Sequence, residues 1–263
     1  MIELEVDGRT AHAATGGKPF DTALPAVVFV HGANMDHTVW ALQSRYFAYN
    51  GHAVLALDLP GHGRSAGPGL DSIPKMGAWI WRFVDAAGAK DAALVGHSMG
   101  ALVTLEAARQ APNCSRALAL VGASAPMPVS DGLLAATRED PSRARRMIIS
   151  YAYGQRSHVG GMRVPGLWMS GGGLSLLDRG DDKVLAQDFN ACSAYDEGPQ
   201  AAAEVTCPTL VVCGDDDRMT PERAGRALAE SFADARVTVI RDSGHMLPTE
   251  QPDRTLDALA AFL

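Results

Sequence analysis

The stretch VGHSMGALVTLEAARQAP, residues 95–112, changes character at its fourth residue. An apolar run ends at Val95, Ser98 stands between two glycines, and apolar residues at helical spacing follow as far as Pro112. Two glycines cost backbone entropy, so a packing role alone does not account for them. The pattern G-x-S-x-G is typical of a nucleophile elbow, a sharp turn from a strand into a helix. Glycine fits both flanking positions because larger residues would collide with the neighbouring chain.

Similar apolar runs surround this stretch, and each ends in a cluster of Gly, Asp or Ser. They cover residues 26–32, 52–61, 92–98, 116–124, 207–217 and 236–244. Runs without clean alternation suit strands that are covered on both faces, and helical patterns at 73–89 and 98–112 lie between them. The sequence therefore predicts an α/β fold with a mostly parallel twisted sheet and helices on both faces. The first 20 residues are expected to add one or two antiparallel edge strands.

Residues 125–205 interrupt the alternation of strands and helices. Helical patterns dominate there, and the Gly-rich stretch 168–182 is expected to separate them. An insertion of about 80 residues is too long for a simple loop. We therefore expect an α/β core formed by residues 1–124 and 206–263, with residues 125–205 as a helical cap or lid.

Composition limits the classes of partner. The chain has 263 residues, 47% of them hydrophobic, and a formal net charge of -7, so neither nucleic acid nor an anionic membrane is an expected partner. The N-terminus lacks the pattern of a secretory signal, and no apolar run approaches the roughly 20 residues of a membrane span. The four cysteines lack CxxC spacing. These features indicate a cytoplasmic protein and leave the oligomeric state open.

A serine hydroxyl needs a base to take its proton and an acid to orient that base. His245 follows the last strand-like run, on a loop expected at the same edge of the sheet as Ser98. The preceding strand-like segment, residues 207–217, ends in three consecutive aspartates, Asp215, Asp216 and Asp217. The chain order of serine, aspartate and histidine is the one expected on this scaffold, and position alone leaves the choice among the three aspartates open.

Together these motifs resemble those of the α/β-hydrolase superfamily over nearly the whole chain. The matching segments are VFVHGA (28–33), DLPGHGRS (58–65), VGHSMG (95–100), GDDDRMTP (214–221) and SGHMLP (243–248). The resemblance implies a serine esterase with a helical cap and a catalytic triad. The family pattern G-x-x-D-x-x-x-P falls on Gly214, Asp217 and Pro221, which selects Asp217 as the acid.

The same resemblance implies an oxyanion hole formed by the backbone N–H groups of Met99 and Ala33. Asn34 is the second choice for the donor assigned to Ala33. Two such donors stabilise the negative charge that develops on a carbonyl oxygen under attack. It further implies that Asp58 and His62 mainly support the turn near the site. No metal or organic cofactor is expected.

Residues beside the motifs are expected to line the substrate pocket. The candidates are Asn34, Met219, Met246 and Trp168, together with Met99, Leu247 and Met162. Most of these side chains are apolar, which favours a small-molecule substrate with a largely apolar acyl group. A basic segment at residues 138–146 is interpreted as a solvated helix face, with selection of an acidic substrate as the alternative.

The resulting hypothesis is hydrolysis of a small carboxylic ester, or of a lactone or thioester, through an acyl-enzyme intermediate. A carbon–carbon bond hydrolase of the same superfamily is one alternative, although such enzymes typically carry Asn where this chain has His97. A ligand sensor or signalling protein that retains the triad without sustained turnover is the other, because a fold does not determine a function.

Overall fold

The computed structural model describes residues 1–161 and 167–263, and an eight-stranded sheet runs through this described part. The strands are β1 (Ile2–Val6), β2 (Arg9–Ala14), β3 (Ala26–Val30), β4 (Ala53–Asp58), β5 (Ala92–His97), β6 (Ser115–Val121), β7 (Thr209–Gly214) and β8 (Ala235–Ile240). Their order across the sheet is β1-β2-β4-β3-β5-β6-β7-β8. β1 pairs antiparallel with β2, and β2 with β4, whereas all pairs from β4 to β8 are parallel. The predicted sheet and its antiparallel edge are confirmed.

Helices connect and flank these strands. They are α1 (Ala41–Tyr49), α2 (Ile73–Ala86), α3 (Met99–Gln110), α4 (Asp131–Glu139), α5 (Pro141–Ala152), α6 (Gln155–His158), α7 (Met169–Leu177), α8 (Asp182–Ala194), α9 (Gly198–Glu204), α10 (Glu222–Ala229), α11 (Leu247–Glu250) and α12 (Pro252–Ala260). A short 3₁₀ helix, His37–Trp40, precedes α1. Among these described helices, none is both long and apolar enough to cross a bilayer.

The central strands form the core of the molecule. Every residue of β3, β4, β5 and β7 is buried, as expected for parallel strands with helices on both sides. The last strand, β8, is half-buried because it forms an edge. Because the central strands are buried on both faces, their sequences are continuous apolar runs.

The topology creates a crevice between the carboxyl ends of β3 and β5. The chain runs from β3 through α1 to β4 on one side, and from β5 through α3 to β6 on the other. Because parallel connections are right-handed, two crossovers in opposite directions place α1 and α3 on opposite faces of the sheet. The loops that leave β3 and β5 therefore diverge, and such switch points are where open α/β sheets bind ligands. Ala33 and Ser98 lie on these two loops.

The segment between β6 and β7 holds the helices α4 to α9, and its described part contains no strand. We call residues 125–205 the insertion. Its Gly-rich stretch, expected to separate helices, instead forms α7. The glycines serve close packing, since a Cβ on Gly173 would lie 2.5 Å from Tyr153 Oη and one on Gly171 2.2 Å from Trp168 Cε3.

Candidate active site

Ser98 occupies a strained turn between β5 and α3. Its backbone has φ 55° and ψ -121°, a left-handed conformation that non-glycine residues rarely adopt. A Cβ on Gly96 would lie 2.1 Å from the carbonyl oxygen of Gly100, and one on Gly100 would lie 2.4 Å from that of Val30. Both contacts are impossibly short, so each glycine of the motif is required by a specific backbone neighbour. The local geometry is that of a nucleophile elbow.

His245 and Asp217 are joined at the ends of the two strands that follow the insertion. His245 Nδ1 lies 2.9 Å from Asp217 Oδ2, and both side chains are almost completely buried. The hydroxyl of Thr220 donates to the same Oδ2 at 2.7 Å, and its backbone N–H donates to Oδ1 at 2.8 Å. The carboxylate is therefore fixed from several sides and orients the imidazole.

The neighbouring carboxylates have other partners. Asp216 Oδ2 accepts from the backbone N–H of Gln155 at 2.7 Å, and Asp215 Oδ1 accepts from that of Ser243 at 3.3 Å. Among the three consecutive aspartates, Asp217 is the one bonded to His245. Burial raises the pKa of Asp217, but the attraction of His245 and the hydrogen bonds from His245 and Thr220 outweigh it and hold the pKa below its usual value.

The backbone of His245 is held from both sides. Its N–H donates to the carbonyl of Ala152, at the end of α5, at 2.7 Å. Its carbonyl accepts from Nε2 of His97, the residue before Ser98, at 2.8 Å. Burial lowers the pKa of His97 to about 3, so this ring stays neutral and acts as a donor. His97 supports His245 rather than the reacting atoms.

Ser98 and His245 face one cavity. The ring nitrogen of His245 that points away from Asp217, Nε2, is buried and has no hydrogen-bond partner among the described residues, Ser98 included. Catalytic hydrogen bonds are often long in structures without substrate and tighten when substrate binds. The arrangement brings a hydroxyl, an imidazole and a buried carboxylate into the order that acyl transfer requires.

Two backbone donors next to Ser98 are unused. Within the described chain, the N–H groups of Ala33 and Met99 form no hydrogen bond. The N–H of Asn34 is occupied, because it donates to Asp188 Oδ2 at 2.8 Å. Of the two choices for the donor on the β3 loop, Ala33 is therefore the free one. Asp188 was missed by sequence reasoning, since a lone aspartate on a helix of the insertion gives no local signal.

The cavity has a volume of about 340 Å³, and Ala33, Ser98 and His245 lie on its wall. Most of the wall is apolar and comes from the insertion, through Met127, Val129, Leu133, Met147, Ile148 and Phe189. Met219 also lines it, as anticipated. The exposed Arg218 lies on the same wall, where its guanidinium stacks on Tyr151 at 4.9 Å.

The other pocket candidates lie elsewhere, which corrects the expectation drawn from the sequence. Trp168 is 71% exposed and, with Met246, lines a separate cavity beside α7, because its indole covers Gly171. Asn34 is buried against the insertion and borders a third cavity. Leu247 is fully buried in the core, and Met162 lies outside the described residues.

One cluster has the composition of a metal site. Ligand atoms of His12, His37 and Asp58 lie within 4.8 Å of one another. Both oxygens of Asp58 are already used, because they accept from the two Nδ1 atoms and from the backbone N–H groups of His37 and Arg64. These bonds support the turn after β4, in agreement with the structural role expected for Asp58.

Comparisons with known proteins agree with this geometry. A sequence model of the alpha/beta hydrolase family matches residues 27–258. The 2-hydroxy-6-oxononadienedioate/2-hydroxy-6-oxononatrienedioate hydrolase of Klebsiella pneumoniae is 29% identical over 252 residues, 90% of this chain and 86% of that protein. The enol-lactonase from Burkholderia xenovorans superposes with a TM-score of 0.87 at 20% identity, covering 99% of both chains. An esterase from Exiguobacterium antarcticum superposes at 0.83 with 19% identity, covering 99% of this chain and 98% of that one. The chain belongs to the alpha/beta hydrolase family.

Proposed function

We propose that the chain is a serine hydrolase that cleaves a small carboxylic ester, lactone or thioester through an acyl-enzyme intermediate. The observation that carries this proposal is the cavity that Ser98 and His245 share, with Asp217 bonded to the far side of the imidazole. A serine hydroxyl is a weak nucleophile at neutral pH, and an oriented imidazole is the group that activates it.

In the acylation step, Ser98 Oγ attacks the carbonyl carbon and its proton passes to His245 Nε2. The carbonyl oxygen becomes an oxyanion and accepts hydrogen bonds from the N–H groups of Ala33 and Met99. Asp217 stabilises the imidazolium that forms. Collapse of the tetrahedral intermediate breaks the bond to the leaving group, which takes the proton from His245.

In the deacylation step, His245 removes a proton from a water molecule, and the resulting hydroxide attacks the acyl carbon. The bond to Ser98 Oγ then breaks, and the serine recovers its proton from His245. The products are the free acid and, from the first step, the alcohol or thiol. A lactone gives one hydroxy acid in place of two products.

The apolar wall of the cavity favours an acyl group that is largely apolar. Side chains such as Met147 and Phe189 reach the wall from the insertion, so we propose that residues 125–205 form a cap that determines acyl preference. A cavity of about 340 Å³ lies at the small end of ligand sites in proteins. A short or medium acyl chain is the expected substrate.

A carbon–carbon bond hydrolase is the second candidate, and one relative favours it. The Klebsiella pneumoniae enzyme is named for a dienedioate, a molecule with two carboxylates. Arg218 lies on the wall of the cavity, where its Nη2 donates to the carbonyl of Ser150. It forms no salt bridge with any described residue, so its remaining N–H groups can bind a carboxylate.

The test is multiple-turnover hydrolysis of p-nitrophenyl esters of increasing acyl length by the wild type and by Ser98→Ala. We expect sustained turnover that Ser98→Ala abolishes, with an optimum at short or medium chains. The matched control is Ser193→Ala, which removes an exposed hydroxyl on α8 outside the cavity and should leave turnover within about threefold.

Other outcomes separate the alternatives. A folded wild type that is inactive on esters but cleaves a 2-hydroxy-6-oxo dienedioate would favour the carbon–carbon bond hydrolase. A wild type that reacts once with a fluorophosphonate at Ser98 but turns over neither class of substrate would favour a ligand sensor. Turnover that survives Ser98→Ala would contradict the proposed mechanism.

A further inference from the structure

A buried polar contact joins the insertion to the loop after β3. Asp188, on α8, is completely buried. Its Oδ2 accepts from the backbone N–H of Asn34 at 2.8 Å and lies 2.8 Å from His62 Nε2. Asn34 and His62 both belong to the α/β core, so one carboxylate oxygen of the insertion binds two core loops.

The surroundings of His62 require a charged imidazole. Nε2 faces the Asp188 carboxylate and Nδ1 lies 3.1 Å from the carbonyl of Pro60, so both ring nitrogens face acceptors. A neutral imidazole carries one N–H, and the two contacts together need two. His62 and Asp188 therefore form a buried ion pair when both bonds are made.

The groups that face His62 are consistent with this charge. Burial lowers the pKa of His62, but Asp188 and, more weakly, Asp58 raise it, and the balance lies above the usual value. The ring of His31 lies 4.7 Å away but is neutral: its Nδ1 donates to the carbonyl of Gly32 and its Nε2 accepts from the N–H of Leu59. Burial lowers the pKa of His31 to about 4.

Asn34 is held by a second contact from the insertion. Its side-chain Nδ2 donates to the carbonyl of Leu177, at the end of α7, at 2.9 Å. The backbone of Gly180 approaches so closely that a Cβ there would lie 2.2 Å from Asn34 Oδ1. The φ of Asn34 is 55°, a left-handed conformation that needs such support. The insertion thus fixes both the peptide group and the side chain of this residue.

The orientation of Ala33 depends on this clamp. The peptide group that joins Ala33 to Asn34 contains the carbonyl of Ala33 and the N–H of Asn34, and the bond from that N–H to Asp188 Oδ2 fixes it. The N–H of Ala33 belongs to the preceding peptide group, so the clamp positions it through the Cα of Ala33. The N–H of Ala33 is left without a partner among the described residues, and Ala33 lines the cavity of Ser98. The partner of Asn34 comes from the insertion, whereas the neighbouring residue, Ala33, lines the cavity.

We propose that Asp188 and His62 are positioning residues that hold the loop of Ala33 and Asn34 so that the N–H of Ala33 serves as an oxyanion donor. The insertion then completes the oxyanion hole as well as covering the substrate. This inference rests on the proposed serine hydrolase function. It concerns the transition state, so it predicts an effect on kcat with little effect on KM.

The experiment compares Asp188→Ala and Asp188→Asn with the wild type on the preferred p-nitrophenyl ester. Loss of one oxyanion donor typically costs about 10²- to 10³-fold in kcat, and a displaced donor retains part of its effect. We expect Asp188→Ala to lower kcat by about 10- to 100-fold with KM within about threefold. Asp188→Asn keeps an oxygen that can accept from Asn34 N–H, so its loss should be smaller. His62→Gln should resemble Asp188→Asn.

A second readout reports the oxyanion directly. A trifluoromethyl ketone forms a tetrahedral adduct with Ser98, in which the carbonyl oxygen becomes an oxyanion and the serine proton passes to His245. Its affinity should fall by the same factor as kcat/KM in each variant. The matched control is Asp196→Asn, the same change at an exposed position just after the same helix, which should leave kcat within about twofold.

The outcomes distinguish this inference from the proposed function. If the wild type shows no turnover that depends on Ser98, the proposed function fails. If turnover depends on Ser98 but a folded Asp188→Ala retains its kcat and its affinity for the ketone, the inference fails and the function stands. If no Asp188 or His62 variant folds, as judged by circular dichroism and thermal melting, the pair is purely structural and the inference is overturned.

Discussion

Three consecutive aspartates follow β7, and the structure gives each a different environment. Asp217 is buried and bonded to His245, whereas Asp216 is half-buried and accepts from the backbone of Gln155. Asp217→Asn presents His245 with an amide that stabilises the imidazolium less and permits the wrong tautomer. We expect kcat for ester hydrolysis to fall by about 10⁴-fold, as in other triads.

The neighbouring residue provides the matched control. Asp216→Asn makes the same chemical change one position away, and the amide oxygen can still accept from the N–H of Gln155. Its kcat should stay within about threefold of the wild type. A large loss in Asp216→Asn together with a silent Asp217→Asn would reassign the acid.

Local chemistry explains which single residues could be predicted. Gly96, Ser98 and Gly100 stand in a motif because their constraints act between residues close in sequence or between adjacent strands. The contact between Asn34 and Asp188 joins residues 154 positions apart and leaves no pattern in the chain. Asn34 was therefore expected to line the substrate cavity, whereas it is held by the insertion.

At the scale of elements, α11 joins the loop of His245 to the insertion through Glu250. This buried carboxylate accepts from the N–H of Gly154 at 2.9 Å and from the hydroxyl of Ser157 at 2.5 Å. Its other oxygen accepts from the N–H of Met246 at 3.2 Å. One side chain thus connects the segment between α5 and α6 with the residue that follows His245.

Glu250→Ala would remove this acceptor from the N–H of Gly154 and the hydroxyl of Ser157, whereas the N–H of Met246 keeps a second acceptor in the carbonyl of Ala152. Each unsatisfied buried group costs about 1 to 3 kcal/mol, partly offset by relief of the desolvated charge, so we expect a loss of about 2 to 4 kcal/mol in the free energy of unfolding. Urea denaturation followed by circular dichroism measures it. Glu250→Gln keeps one acceptor and should lose less.

The control is Glu230→Ala, because Glu230 is exposed at the end of α10. Its unfolding free energy should stay within about 0.5 kcal/mol of the wild type. Equal stability of Glu250→Ala and the wild type would show that α11 and the insertion are not joined through this carboxylate.

The sequence predicted the strands of the sheet better than it predicted the helices of the insertion. Buried parallel strands are continuous apolar runs, and β3 to β8 were found where those runs occur. The stretch that forms α7 has three consecutive glycines, which oppose helix formation by propensity. Packing against Tyr153 and Trp168 overrides that propensity, and such packing is not visible in a local pattern.

For the whole molecule, the insertion is tied to both halves of the site. Its helices α7 and α8 hold Asn34 beside Ala33, the proposed oxyanion donor, and the carbonyl of Ala152 at the end of α5 holds the backbone of His245. These contacts are buried and polar, so displacing the insertion would expose unpaired groups on both core loops. In the proposed mechanism the insertion thereby supports the catalytic residues as well as forming much of the wall of the cavity.

The buried histidines predict how the stability of the whole molecule depends on pH. Burial lowers the pKa of His31 to about 4 and that of His97 to about 3, whereas both return to about 6.5 in the unfolded chain. Between about pH 4 and 6.5 these two histidines bind protons in the unfolded chain but not in the folded chain, so they make stability rise with pH. His62, whose pKa is raised, acts in the opposite direction and loses its contribution as pH rises through its folded pKa.

We expect the free energy of unfolding to fall from pH 6.5 to pH 4.5, with the two histidines contributing up to about 3 kcal/mol per pH unit. Urea denaturation at half-unit steps of pH measures this slope.

In His97→Gln, whose amide can still donate to the carbonyl of His245, the slope should decrease by about one proton, or about 1.4 kcal/mol per pH unit. The control is Asn190→Gln on the exposed face of α8, which changes no titratable group and should keep the wild-type slope. A slope that is the same in His97→Gln and the wild type would mean that His97 is protonated in the folded chain, and its role as a neutral support of His245 would have to be abandoned.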